Sequence, residues 1–227
     1  MERVQKIMAH SGVASRRKCE ELIKKGVVKV NDKLVKLGDT ASDKDKITVN
    51  GRLIKREKMV YIVLNKPKGF LCSSMDSRGK KTVLSLVKCK ERLYPIGRLD
   101  FDSEGLLILT NDGDFANSVI HPRYNVNKTY SISLNKDLEK EDYKKIKEGV
   151  SIEGRNVNVF DFESDKNEVI LSIHEGRKHI IKKLFDALGY KVINLKRVSI
   201  GKLKLNIESG ESKFVSKEWL KNSIFRG

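Results

Sequence analysis

Asp100 and Arg98 stand two residues apart in the stretch Gly97-Arg98-Leu99-Asp100-Phe101-Asp102-Ser103-Glu104-Gly105. The flanking runs, Leu93–Ile96 and Leu106–Thr110, are apolar and read as buried strands. A charged loop held between core strands is a place where catalytic groups are commonly mounted. Arg98 falls on the same side as Asp100 if the segment is extended. Asp102 and Glu104 invite comparison with the paired carboxylates of glycoside hydrolysis, but neighbours on one loop rarely flank a bond from opposite sides. They are therefore expected to be structural or anion-excluding. On spacing alone an acidic surface turn is the better reading of the whole stretch.

Other chemistry is narrowed by what the sequence lacks. The three cysteines, Cys19, Cys72 and Cys89, are odd in number and far apart, which suits free thiols in a reducing compartment. His174 and His179 are not at the i, i+4 spacing of a helical metal pair, and no metal site is expected. Neither the phosphate-binding Gly-x-x-x-x-Gly-Lys-Ser/Thr loop nor a dinucleotide fingerprint is present, so no cofactor is expected.

The elements that must position the loop follow from hydrophobic periodicity. Two short helices are predicted over Arg3–His10 and from the N-cap Ser15 to Gly26, with Val4, Ile7 and Met8 and then Cys19, Leu22 and Ile23 inward. Val27–Val30 and Ile47–Val49 read as strands, with turns at Asn31-Asp32 and Asn50-Gly51. Residues 51–58 are short and charged, a linker by composition. Met59–Leu64 reads as a strand entering the Asn65-Lys66-Pro67-Lys68-Gly69 turn, Thr82–Val87 as helical, and Phe115–Ile120 as a helix stopped before Pro122. Period-two alternation marks Lys128–Leu134 as a strand. Leu138–Glu148 reads as a helix, Val157–Phe162 and Val169–His174 as an antiparallel pair, and Ile180–Leu188 as a helix ended by Gly189. Strand-like runs reach Ile207 before a last helix around Trp219. The fold class is α+β: a two-helix and short-sheet domain over residues 1–50, a linker over 51–58, and a mixed, largely antiparallel sheet with flanking helices over 59–227.

Charge indicates the partner. The 227 residues hold 47 Lys or Arg and 30 Asp or Glu, a net charge of +17. Residues 1–58 alone carry 16 basic and 8 acidic side chains, so the N-terminal quarter is the denser in positive charge. Such a field draws polyanions, and nucleic acid is favoured over an anionic membrane because no basic amphipathic helix with a broad apolar face is evident. No run approaches a membrane span. The N-terminus lacks a leader's apolar core, so a cytoplasmic protein is expected.

Two resemblances sharpen this. Gly12-Val13-Ala14-Ser15-Arg16-Arg17, followed by Glu21-Leu22-Ile23-Lys24 and by Gly26, Val28, Val30 and Asn31, resembles the RNA-binding domain named after ribosomal small-subunit protein four, over roughly residues 2–50. That resemblance implies that Arg16, Arg17, Lys29 and Asn31 grip folded RNA. Gly97-Arg98-Leu99-Asp100, then Ser103-Glu104-Gly105-Leu106-Leu107 and Thr110-Asn111-Asp112-Gly113, is similar to the catalytic loop of the ribosomal pseudouridine synthases that comprise small-subunit synthase A and large-subunit synthases B, E and F. Leu64–Gly69 and Leu195–Gly201 resemble further motifs of that family, and the likeness spans nearly the whole chain.

The family resemblance implies an isomerase that breaks the ribose bond to uracil N1, turns the base and rejoins the sugar at C5. Asp100 would be the nucleophile, attacking either the ring or the anomeric carbon. Tyr130 would stack on the flipped base and take the C5 proton. Ile181 would wall the uracil and Lys182 would pair with Asp100, with Arg98 and Arg177 on the RNA. The stretch from Glu175 to Phe185 departs from the family pattern in carrying Ile180 in place of Gln and Lys182-Lys183 in place of an arginine pair. Lysine keeps the charge and loses the bidentate fork. His121-Pro122-Arg123-Tyr124 leans towards the synthase B branch of the family, so the expected partner is large-subunit rRNA or a ribosome-assembly intermediate, met by a monomer. The alternative is a non-catalytic RNA-binding assembly factor on the same fold; a nucleoside hydrolase is a third reading.

Overall fold

The computed structural model describes residues 1–42, 44–55, 57–73 and 79–226. The chain divides into two compact units. One comprises Met1–Met59 with Cys89–Arg92 and Asn111–Gly113, and the other comprises Val60–Lys88, Leu93–Thr110 and Asp114–Gly227.

The first unit contains β1 (Glu2–Arg3), α1 (Val4–His10), α2 (Arg16–Lys24), β2 (Val28–Val30), β3 (Lys33–Leu34), β4 (Thr40–Ala41), β5 (Ile47–Val49) and β6 (Arg52–Leu53). Ser15 caps α2 by accepting from the Lys18 amide at 3.3 Å. The apolar stripes of both helices bury Val4, Ile7, Met8, Cys19 and Ile23 against Val28, Ala41 and Ile47. Asn31-Asp32 and Asn50-Gly51 turn the chain with positive φ at both positions, the backbone that Asn, Asp and Gly tolerate in tight hairpins. Residues 51–58 are not wholly a linker. Arg52 and Leu53 pair with Val49 and Thr48 as the edge strand β6, and Ile54 packs on the core; Arg56 of that stretch lies outside the described residues.

The second unit is built on a nine-stranded sheet. Its elements are β7 (Tyr61–Lys66), β8 (Tyr94–Ile96), β9 (Glu104–Thr110), α3 (Gly113–Ile120), β10 (Lys128–Leu134), α4 (Lys140–Glu148), β11 (Val150–Ile152), β12 (Arg155–Val157), β13 (Phe160–Asp165), β14 (Glu168–Ile173), α5 (Ile180–Asp186), β15 (Val192–Ile200), β16 (Leu203–Lys204), β17 (Ser212–Val215) and α6 (Lys217–Phe225). The strand order is β13-β14-β10-β15-β9-β7-β17, with β8 on β9 and β16 on β15. Every pairing is antiparallel except β15 with β9. One apolar core gathers Tyr130, Ile132 and Leu134 of β10 with α4 and α5, and a second gathers Leu106 and Ile108 of β9 with α3 and α6.

Two expectations are corrected here. Thr82–Val87 holds only a short 3-10 turn, Val83–Leu86. The strand expected at Val157–Phe162 is split: β12 closes a hairpin with β11, and β13 begins only at Phe160. Glu153 and Gly154 make that hairpin turn, both at positive φ, and neither is marked by the alternation that identified the other strands.

Candidate active site

Strand register brings the site together. Lys66 of β7 lies opposite Gly105 of β9, Gly105 opposite Arg197 of β15, Arg197 opposite Tyr130 of β10, and Tyr130 opposite Leu171 of β14. This row crosses five strands and ties the end of the 97–105 loop to Tyr130. Gly105 sits at φ +111°, and a Cβ there would lie 2.3 Å from the Arg197 carbonyl oxygen, so only glycine lets the two backbones meet. A bulge on β15, between the partners of Thr129 and Tyr130, re-aims the chain at the row, as bulges do beside functional sites.

Lys66 braces the loop from below. Its side chain is wholly buried, and its Nζ donates to the carbonyls of Ser103 at 2.6 Å, Asp100 at 3.0 Å and Pro67 at 3.1 Å. Burial pushes its pKa down, while the carboxylates of Asp100, Asp102 and Glu104 pull it back up. The Cys72 sulfur accepts from the Leu99 amide at 3.3 Å, the Gly69 amide donates to the Phe101 carbonyl at 2.8 Å, and the buried Arg197 donates through Nε to the Leu106 carbonyl at 2.7 Å. The loop backbone is thus fixed by groups from two other segments, which is what a preorganised site requires.

Above it lies a cleft lined by Arg98, Leu99, Asp100, Ser103, Tyr130, Ile173, Glu175–Arg177, His179–Ile181 and Leu195. Asp100, about a quarter exposed, points into it. Tyr130 is buried, and Ile173, Ile180, Ile181 and Leu195 supply apolar walls. Lys182 approaches Asp100 Oδ2 at 3.8 Å, but its Nζ holds both oxygens of Asp102 at 2.6 and 2.7 Å. The Lys182 hydrogen bond keeps the Asp102 carboxyl below the usual carboxylate range. Among the described residues the basic side chain that comes nearest to Asp100 is His179, with Nε2 3.3 Å from Oδ1. A carboxylate, an aromatic ring and apolar walls in one cleft can bind a flipped pyrimidine and offer it a nucleophile.

Other expected RNA-binding residues fall differently. Arg98 is exposed at the cleft. The Arg177 guanidinium is clamped by Glu175 and donates to the Ile152 carbonyl at 2.9 Å, so it ties the loop before α5 to the β11–β12 hairpin. In the first unit Arg16, Arg17 and Lys29 are exposed. Asn31 instead closes its own turn: its amide donates to Asp45 at 2.8 Å and accepts from the Lys46 amide at 3.0 Å. Sequence reasoning overlooked Lys66, Cys72 and His179 as parts of the site. The signal that could have found the first was a lysine ending an otherwise apolar strand.

Among the described residues no cluster of three His, Cys, Asp or Glu could hold a metal ion, and no helix is long and apolar enough to cross a membrane.

Residues 60–187 match the family model described as RNA pseudouridylate synthase, and residues 2–47 match the S4 domain. The chain is 43% identical over 223 residues, covering 94% of its own length and 91% of the relative's, to a ribosomal large subunit pseudouridine synthase B of Bacillus subtilis. An uncharacterized RNA pseudouridine synthase of Aquifex aeolicus is 40% identical over 212 residues, covering 89% of this chain and 85% of that one. A crystal structure of a pseudouridylate synthase superposes with a TM-score of 0.72 at 30% identity, covering 99% of this chain and all of the other.

Proposed function

The chain belongs to the RNA pseudouridylate synthase family and is an RNA-modifying isomerase, and on that premise we propose that it converts a uridine of large-subunit rRNA to pseudouridine with Asp100 as the nucleophile. The observation that carries this reading is the meeting of Asp100 and Tyr130 in one apolar-walled cleft, on residues whose motifs match the family's. The resemblance to the Bacillus subtilis large-subunit synthase, together with the His121–Tyr124 run, supports the choice of RNA.

The reaction exchanges a C1′–N1 bond for a C1′–C5 bond. One proton leaves C5 and one is gained at N1, with no net oxidation and no group transferred to water. The enzyme must therefore extrude the uridine, offer a carboxylate, and keep the detached base from escaping. In this reading the Asp100 carboxylate engages the uridine, Tyr130 stacks on the ring and receives the C5 proton, and Ile173, Ile181 and Leu195 confine the loose base. The exposed Arg16, Arg17 and Lys29 of the first unit hold folded RNA through phosphate contacts, which position without reading sequence.

The test is to incubate unmodified rRNA with enzyme and map pseudouridine by carbodiimide-dependent stops. Wild type is expected to create a stop at a defined uridine. Asp100→Asn, which keeps the shape of the side chain and removes its charge, is expected to create none while binding RNA within about twofold of wild type. Turnover near wild type in that variant would falsify the nucleophile assignment. Tight binding with no stop from wild type would favour an assembly factor, and release of free uracil would favour a hydrolase.

A further inference from the structure

Lys182 stands between two carboxylates, Asp100 in the lining of the cleft and the more exposed Asp102 outside it. Lys182 is settled on Asp102, with both oxygens inside 2.7 Å, and reaches Asp100 only at 3.8 Å. A lysine is a point charge on a flexible stem and lacks the planar fork with which an arginine addresses a carboxylate bidentately. It follows the carboxylate it can approach most closely, and Asp100 is left with a longer contact that does little to fix its rotation.

His179 fills that gap. Its Nε2 lies 3.3 Å from Asp100 Oδ1, the oxygen that Lys182 does not address. The imidazole is carried at the head of α5 by a residue in the left-handed region, φ 56° and ψ 25°, whose side chain makes no capping bond to the helix. A non-glycine residue there is held under backbone strain, and such outliers gather at functional sites. A turn alone would be served as well by glycine or asparagine; neither would place a donor at Oδ1. Two neighbouring cations are already engaged, Lys182 on Asp102 and Arg177 on Glu175 and the Ile152 carbonyl, while Arg98 stays exposed at the cleft.

We propose that His179 is the positioning residue of Asp100, turning Nε2–H from its present ion-pair distance onto Oδ1 and setting the angle at which the carboxylate faces the flipped uridine. The inference rests on the reading of Asp100 as the nucleophile. It makes orientation of that group in this chain the work of an imidazole where an arginine would otherwise do it.

Side-chain geometry supplies the test. Asparagine tolerates the left-handed turn but stops short of the Nε2 position, whereas the glutamine amide nitrogen overlays Nε2 and restores the donor. His179→Asn is expected to lower the single-turnover rate at saturating rRNA by up to about a hundredfold, the scale of a small misplacement of a reacting group, with RNA affinity unchanged. His179→Gln is expected to recover at least about fivefold of that loss, a fraction of the same positioning effect. If Asn turns over like wild type, or if Gln is as slow as Asn, donation through Nε2 is not the role. A second readout does not depend on turnover. In ¹⁵N-histidine-labelled protein the neutral His179 ring is expected to carry its proton on Nε2, and the Nε2 resonance is expected to shift in Asp100→Ala; a proton on Nδ1, or an Nε2 resonance unmoved by the substitution, overturns the proposal. Should wild type make no pseudouridine at all, the functional reading fails while the tautomer still decides the contact.

Discussion

Gly105 is the residue on which the site's geometry most depends, and Gly105→Ala is the most informative change to make. The new methyl would sit 2.3 Å from the Arg197 carbonyl oxygen, 2.6 Å from its nitrogen and 2.9 Å from its carbonyl carbon, where real Cβ contacts do not fall below 3.0 Å. All three atoms are backbone of the neighbouring strand, so relief requires β9 and β15 to separate by somewhat under an ångström. The φ of +111° adds backbone strain of about 1–3 kcal/mol, and forcing a methyl into a packed interior adds about 1–3 kcal/mol more. A loss of about 2–6 kcal/mol is expected, or a fall in Tm of roughly 10 °C for a chain of this size. Gly154→Ala is the control, since it shares the positive φ, +73°, but has nothing within 4 Å of its Cβ. It should cost only the backbone part, about 1 kcal/mol. Urea unfolding followed by far-UV circular dichroism and by the fluorescence of Trp219 measures both. Because Gly105 stands in the same row as Tyr130 and closes the loop bearing Asp100, the strand shift should also slow turnover by about a hundredfold. If Gly105→Ala is no less stable than Gly154→Ala, or if it turns over normally, the close approach of β9 to β15 is not what places Asp100.

The remaining predictions concern RNA grip and a buried cation. Arg16→Ala combined with Arg17→Ala should weaken RNA binding and flatten the log–log dependence of affinity on salt by about one to two units, as loss of one or two phosphate contacts requires. An unchanged slope would move the grip elsewhere. Lys128 is buried beside Arg197, with its Nζ on the Val126 and His174 carbonyls, and burial lowers its pKa to about 8 from 10.5. Its folded-state pKa is depressed, so the unfolded chain binds the proton more tightly between those values and stability should climb as pH rises through them. At about 1.36 kcal/mol per unit the climb amounts to about 3 kcal/mol. Lys128→Met should remove it, which is read as the difference between wild-type and variant unfolding free energies from pH 8 to 10.5; a flat difference would mean the ammonium is better accommodated than its burial implies.

Local periodicity carried much of the fold. The alternation in Lys128–Leu134 put Tyr130, Ile132 and Leu134 on one core face, where they lie, and Asn50-Gly51 announced its hairpin. Each of these signals is a preference of a few consecutive residues for one backbone period or turn. The row from Lys66 to Leu171 is different in kind, because it depends on the parallel pairing between β9 and β15, some ninety residues apart. No short window contains that pairing, although the glycine at 105 is its trace.

The same limit applies to side-chain partners. Arg177 and Asn31 have the chemistry of RNA ligands, yet a carboxylate or carbonyl within the fold reaches them first. The sequence contains one lysine at 182 and two aspartates at 100 and 102, but not the distances that decide between them. The family pattern pairs position 182 with Asp100, whereas the geometry gives Lys182 to Asp102 and leaves the nearer place at Asp100 to a histidine. Asp102 thus holds more closely the lysine that the family pattern gives to Asp100. If Asp102→Ala releases Lys182 to Asp100, His179→Asn should cost less single-turnover rate in that background than in wild type, and an equal cost in both would mean that the two residues act independently.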